Sequence, residues 1–82
     1  MKTISMSPYV PGAPRVLTTD CGDFTVEMTY RGYSEHHYTV TKVSGSWPSK
    51  DEIGRWLDHR WDYFGGTAVI GEERAGFVCY VD

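Results

Sequence analysis

Two cysteines and three histidines are the side chains with the widest chemistry in this sequence: Cys21, Cys79, His36, His37 and His59. A structural zinc site normally uses ligands paired at short spacing, whereas the two cysteines lie near opposite ends of the chain. His36 and His37 fall in a predicted strand, where neighbouring side chains point to opposite faces. The spacing therefore predicts neither a metal site nor a cofactor.

Nucleophilic catalysis is the other chemistry that these residues could support, because a catalytic cysteine needs only a base and an orienting group beside it. Cys21 lies in an accessible turn, and His36 or His37 could approach it from the next hairpin. No local signature supports that arrangement, and Gly65-Gly66 ends a helix instead of opening one, so no helix N-terminus faces an anion there. We therefore predict a protein that is not an enzyme.

The carboxylates are more informative through their placement. Three aspartates fall on one face of a predicted helix 49–64, opposite its apolar stripe: Asp51, Asp58 and Asp62. Arg55 interrupts them and can pair with Asp51 at a spacing of four residues. A solvated helix face is one interpretation, and an acidic strip presented to a basic partner is the other. Acidic residues predicted in loops or at the chain end could extend the strip: Glu35, Glu72, Glu73 and Asp82.

Aromatic residues make up 15% of the chain, which is high for so small a domain. Several fit core-facing patterns: Phe24, Tyr30, Trp56, Phe64 and Phe77. One helix on one sheet cannot hide the others, which fall at loops, helix flanks or the far sheet face: Tyr9, Tyr33, Tyr38, Trp47, Trp61 and Tyr63. Protein interfaces are enriched in exposed Tyr and Trp, so this surplus predicts a binding surface.

The strands that must position these side chains are indicated by alternation. The clearest runs from Phe24 to Arg31, and its predicted core face carries Phe24, Val26, Met28 and Tyr30. His36 to Val43, rich in Thr, Val and Tyr, is its predicted hairpin partner. Thr67 to Ile70 and Phe77 to Val81 predict a second hairpin.

One helix is predicted between the two hairpins. Ser49 and Glu52 have the spacing of a capping box, in which side chains satisfy backbone donors of the first helical turn. Apolar residues then recur at helical spacing until Gly65-Gly66, which supplies a left-handed stop. The pattern predicts a single amphipathic helix of about four turns.

These elements predict an α+β domain. Its sheet is expected to have four mainly antiparallel strands in β-β-α-β-β order, with one helix packed on one face. Residues 15–82 form this single domain, and Arg15–Thr19 could add a short N-terminal edge strand. Residues 1–14 are predicted to be an irregular arm, because Pro8, Pro11 and Pro14 fix φ and remove backbone donors.

Size and charge limit the function classes. The chain has 82 residues, a mass of 9.3 kDa and a net charge of −3. No segment approaches the roughly 20 apolar residues of a membrane span, and no secretory signal is evident, so we expect a cytoplasmic protein with reduced cysteines. An acidic chain without clustered cations is not expected to bind nucleic acid directly, and a basic protein partner fits it better.

A small acidic α+β domain of this order, with surplus aromatics and no cofactor motif, resembles the phage-encoded inhibitors of bacterial defence known as anti-CRISPR proteins. The resemblance lies in whole-chain architecture and composition and assigns no role to any residue. It implies stoichiometric blockade of a basic nucleic-acid channel or subunit surface in a large nucleoprotein complex of the host, within the host cytoplasm.

Three functions fit these observations. The first is a non-enzymatic inhibitor, whose predicted partner-binding residues are Tyr33, Glu35, Asp51, Arg55, Asp58, Trp61, Asp62, Tyr63, Glu72 and Glu73. The second is a small homo-oligomeric interaction module or phage structural protein, with a homodimer as its simplest form. The third is a small metal-dependent or cysteine-dependent enzyme.

Overall fold

The computed structural model describes residues 5–81, which form one antiparallel sheet and two short helices. The elements in chain order are β1 (Ser5–Met6), β2 (Arg15–Thr19), β3 (Gly22–Arg31), β4 (Glu35–Lys42), α1 (Lys50–Leu57), α2 (Trp61–Phe64), β5 (Gly66–Ile70) and β6 (Arg74–Tyr80). The strands lie side by side in the order β1-β2-β3-β4-β6-β5. Every neighbouring pair is antiparallel.

The predicted four-stranded sheet with one packed helix was wrong. The two predicted hairpins are present as β3–β4 and β5–β6, but β1 and β2 extend the sheet to six strands and make the fold mostly β. Arg15–Thr19 is a strand, as anticipated, yet it is not an edge strand because Ser5 and Met6 pair along its outer side. The proline-containing segment that follows β1 forms a loop closed by a bridge between Val10 and Ala13.

The single predicted helix is divided at Asp58. Its N-terminus is as predicted, because the Ser49 hydroxyl accepts a hydrogen bond from the Glu52 amide. Asp58 then adopts extended φ and ψ values of −153° and 127°. Its carboxylate accepts a hydrogen bond from the Arg60 amide, and this local bond competes with continuation of the helix. A new helical turn starts after Arg60 and ends at Gly65, whose φ is 74°.

A β-bulge changes which face Tyr30 occupies. Met28 pairs with Tyr38, but the next pair along the strands is Tyr30 with His37, so β3 has one extra residue at this point. The bulge shifts the alternation, and Tyr30 lies against the His37 ring at 5.0 Å instead of joining Phe24 in the core. The predicted core position of Tyr30 was therefore wrong.

The core lies between one face of the sheet and the two helices, and the opposite sheet face has no layer over it among residues 5–81. Its buried members are Leu17, Phe24, Val26, Tyr38, Val40, Ile53, Trp61, Ala75, Phe77 and Cys79. Trp47 closes one end of this layer, where its ring packs 5.0 Å from that of Phe24. The helices contact β5 and β6, so the half of the same face formed by β2 and β3 is less covered.

Candidate binding surfaces

The predicted acidic strip is not formed along the helices. Asp58 is buried, with 8% of its surface exposed, and its two carboxylate oxygens each accept a hydrogen bond of 2.9 Å from the Arg60 guanidinium. These bonds hold the pKa of the Asp58 carboxyl below its usual value despite the opposing effect of burial. His36 and His59 each lie 3.8 Å from the same carboxylate.

The remaining members of the strip also have partners. The Asp62 carboxylate accepts hydrogen bonds of 2.8 and 3.0 Å from Arg55 Nε, an exposed ion pair that replaces the predicted pairing of Arg55 with Asp51. Asp51 accepts a hydrogen bond of 3.0 Å from the Trp61 indole. Trp61 is a core residue instead of an exposed contact residue. The helix break at Asp58 explains these differences, since positions after it no longer follow the periodicity of α1.

An acidic surface does exist, at one end of the sheet. The β2–β3 turn, the segment after β4 and the β5–β6 turn meet there. The Ser46 amide donates a hydrogen bond to the Cys21 carbonyl, and the Lys42 amide donates one to the Glu73 carbonyl. The Trp47 indole donates a third to the Glu72 carbonyl. We call the surface of these loops and the first turn of α1 the acidic end. Its carboxylates are those of Asp20, Asp23, Asp51, Glu52, Glu72 and Glu73, and its basic residues are Lys42, Lys50 and Arg74.

The other predicted contact residues lie elsewhere. Tyr33 is fully exposed at the β3–β4 turn, and Tyr63 is 81% exposed on α2. Glu35, at the opposite end of the sheet from Glu72 and Glu73, bonds to His37 at 3.0 Å. The structure therefore places Glu72 and Glu73 where the three loops meet and separates Tyr33 and Glu35 from them. Asp51 bonds to Trp61 instead, and Asp82 lies outside the described residues.

His36 and His59 both approach the Asp58 carboxylate, and Cys79 is the strand partner of His36. His36 faces the helices and His37 the uncovered side, as their adjacent positions predict. Cys79 is fully buried, and burial raises the pKa of its thiol to about 12. Within residues 5–81, no group of three or more His, Cys, Asp or Glu side chains is placed to hold a metal ion.

A groove of about 770 Å³ opens on the less covered half of the core face. Its apolar lining comes from Met6, Tyr9, Val26, Met28, Tyr38 and Leu57. Three charged residues also line it: Arg15, Arg31 and Glu27. The Nε of Arg15 donates to the Ser7 carbonyl. Arg31 extends into a second cleft of about 640 Å³ that includes Tyr33, His36 and Arg60. We call the larger feature the arginine groove.

Tyr38 lies on the floor of the arginine groove. Burial is the main reason that the pKa of its hydroxyl is raised to about 12, and the charges of Arg60 and Arg15 oppose the shift. The phenol is therefore neutral at physiological pH and offers one hydrogen-bond donor in a largely apolar setting.

Sequence reasoning missed the arginine groove. The available signal was the length of the strands, since β3 has ten residues and β2 only five, so part of β3 must extend beyond its neighbour. Pro14, one of the three prolines that predict an irregular arm, also lines the groove beside Ala13.

Comparisons with protein-family models, with curated proteins and with solved structures find no match to this chain. Among the described residues, no helix has the length and apolar character needed to cross a membrane.

Proposed function

We propose that this protein is a non-enzymatic inhibitor that binds a basic surface of a larger protein complex through its acidic end. The observation that supports this function best is that hydrogen bonds join three loops, which carry several carboxylates, into one surface. Backbone hydrogen bonds hold the loops, so binding would order few additional groups and lose little conformational entropy.

The acidic end also has the apolar contacts that an interface needs. Val43 is 64% exposed in the middle loop, and the same loop contains Trp47, which is partly buried. A few apolar anchors surrounded by charged groups are typical of protein interfaces, where complementary charge mainly raises the association rate and the specificity. Because the net charge of the chain is −3, a basic partner fits this surface.

The resemblance to anti-CRISPR proteins, which now rests on size, acidity and aromatic content because the β-β-α-β-β order was wrong, supports the choice of partner. A basic channel that binds nucleic acid is a surface that an acidic protein of this size could occupy in place of the nucleic acid. In this proposal the inhibitor works at one-to-one stoichiometry and catalyses no reaction. The partner is a large nucleoprotein complex of the cell in which the protein is made.

Charge reversal at the acidic end tests the proposal. We expect Glu72→Lys and Glu73→Lys each to reduce capture of a basic partner complex from bacterial lysate by about tenfold, because each variant places repulsive charge at the contact. Capture by the unaltered protein should also fall as salt is raised from 50 to 300 mM, through screening. The readout is the amount of partner retained on the immobilised protein.

Glu35→Lys is the matched control, since it makes the same charge change at the opposite end of the sheet. It should leave capture within about twofold of the unaltered protein. Equal loss of capture with all three variants would show that overall charge and not the acidic end determines binding. Addition of the protein at equimolar concentration should also suppress the nucleic-acid binding of the captured complex, and unchanged nucleic-acid binding would contradict inhibition.

The outer edge of β5 favours a second candidate function, a homo-oligomeric interaction module. This edge has no strand partner among residues 5–81, contains no charge or proline, and exposes 79% of Val69. Such edges readily pair with a second copy. Light scattering should then report a dimer, and Val69→Lys should convert it to a monomer. Weak pairs form at roughly 100 µM, so an unaltered protein that is monomeric at this concentration would exclude this candidate.

A further inference from the structure

Part of β3 has a free backbone edge. The last residue of β3 that pairs with β2 is Val26, opposite Arg15, although β3 continues to Arg31. From Glu27 onward, β3 has a strand partner on only one side within the described part of the chain, namely β4. An unpaired strand edge is a template for an added strand.

The direction of the backbone groups can be followed along the strand. Asp23 bonds toward the β4 side, since its carbonyl accepts from Val43 and its amide donates to Ser44. Alternation then directs the N–H and C=O of Met28 toward the free side. Beyond the bulge, Gly32 donates to Glu35 on the β4 side, so the N–H and C=O of Arg31 also face the free side. Both residues therefore present a donor and an acceptor there.

The arginine groove lies beside this edge. Met28 and Arg31 both line it, together with Ala13 and Pro14 of the loop that forms its far wall. Met28 is about half exposed, and the Arg31 side chain has no hydrogen-bond or ion-pair partner among residues 5–81. The free edge thus adjoins an apolar depression with a cation available for pairing.

We propose that β3 and the arginine groove bind an extended, acidic segment of a partner protein, which adds to the sheet as a strand along Glu27–Arg31. This inference concerns a different surface from the acidic end and does not depend on the function proposed above. Main-chain hydrogen bonds to Met28 and Arg31 supply affinity, and the groove selects the side chains.

The side chains selected follow from the alternation of a strand. Every second residue of the added strand faces the groove. An apolar residue fits against Met28, Val26 and Leu57, because sulfur-containing and aliphatic side chains adapt to varied apolar shapes. Acidic residues two positions before and after it fit Arg15 and Arg31, through charge-assisted hydrogen bonds to carboxylates. The favoured pattern is therefore acidic-x-apolar-x-acidic.

A blocked peptide of sequence Ser-Asp-Thr-Leu-Thr-Asp-Ser is the probe for this site. We expect the peptide, at millimolar concentration, to slow amide hydrogen exchange of Met28 and Arg31 in the full chain and to shift their NMR resonances. Two altered peptides should bind at least about tenfold more weakly: one with Lys in place of both Asp, and one with N-methyl groups on alternate amides. Slowed exchange at Val69, on the outer edge of β5, in place of Met28 would overturn the proposal.

Arg31→Glu tests the side-chain part of the proposal, with Arg74→Glu as the matched control at the other end of the sheet. Arg31→Glu should weaken binding of the acidic peptide about tenfold and improve binding of the lysine peptide. Arg74→Glu should change the affinity for either peptide by no more than about twofold. The reciprocal gain with the lysine peptide cannot result from misfolding of Arg31→Glu. Equal affinity of the acidic and lysine peptides for the unaltered protein would also overturn the proposal.

Discussion

Gly54→Ala is expected to destabilise the protein by about 1–3 kcal/mol, although alanine is normally the better helix residue by about 1 kcal/mol. Gly54 lies in α1 directly against the indole of Trp61, and a β-carbon built on it would approach the Trp61 ring atom Cδ2 to 2.2 Å. The Trp61 ring cannot move away freely. It is also packed against Gly66 and Phe77, and its nitrogen donates to Asp51. Urea unfolding monitored by tryptophan fluorescence measures the loss.

Gly76→Ala is the matched control for this prediction. Gly76 lies in the middle of β6 on the uncovered sheet face, and a β-carbon built there has no heavy atom within 4 Å. We therefore expect a small gain of about 0.5 kcal/mol, because alanine reduces the conformational freedom of the unfolded chain. Gly54→Ala should lower the Tm by about 10 °C relative to this control. A Gly54→Ala variant as stable as Gly76→Ala would show that Trp61 does not lock α1 to α2.

Asp58→Asn is the second variant with a large expected effect, a loss of about 2 kcal/mol at pH 5. The change removes the charge that binds the Arg60 guanidinium in two hydrogen bonds and leaves that cation without its partner beside the core. Arg60 is partly exposed, so water recovers some of the lost interaction and the cost remains below that of a fully buried pair. Chemical unfolding at fixed pH measures it.

The same variant has a defined pH dependence. Hydrogen bonds from Arg60 hold the pKa of Asp58 in the folded protein below its usual value, which is about 3.9 in an unfolded chain. The stabilisation from Asp58 is therefore fully present above about pH 4 and is lost as the pH falls through the lower folded pKa. Measurements at pH 5 and at pH 3 therefore compare a state that keeps this stabilisation with one that has begun to lose it.

Asp62→Asn provides the control, since it removes the same charge from a pair with Arg55 in which both side chains are about half exposed. We expect a change below about 0.5 kcal/mol at either pH. The difference in unfolding free energy between the unaltered protein and Asp58→Asn should shrink at pH 3. A difference that is constant with pH would mean that Asp58 acts through shape and not through charge.

Local patterns of the sequence predicted local structure well. The alternation from Phe24 and the turn before Glu35 specified the β3–β4 hairpin, and the pair Ser49 and Glu52 specified the start of α1. These features depend on neighbours within a few residues, whose conformational preferences are visible in sequence. The short strand β1 was missed because two residues carry no period, and only pairing with β2 makes them a strand.

The errors in the candidate site share a cause. A helical wheel assumes one continuous helix, and the sequence does not show that Asp58 bonds to its own backbone neighbourhood instead of facing water. Once the helix ends there, Trp61 turns into the core and Asp62 meets Arg55 from the following turn. The bulge in β3 had a similar effect on Tyr30. In both cases one residue changed which side of the helix or strand the later side chains occupy.

The position of β6 has a consequence for the synthesis of this protein. β6 lies between β4 and β5, and it supplies three of the buried core residues, Ala75, Phe77 and Cys79. In a nascent chain emerging from the ribosome, one edge of β4 and both edges of β5 therefore lack a strand partner until residues 74–80 become available. Stable folding must then follow, and not accompany, translation of most of the domain. A nascent chain stalled after Gly71 should accordingly remain protease-sensitive and a target for chaperones.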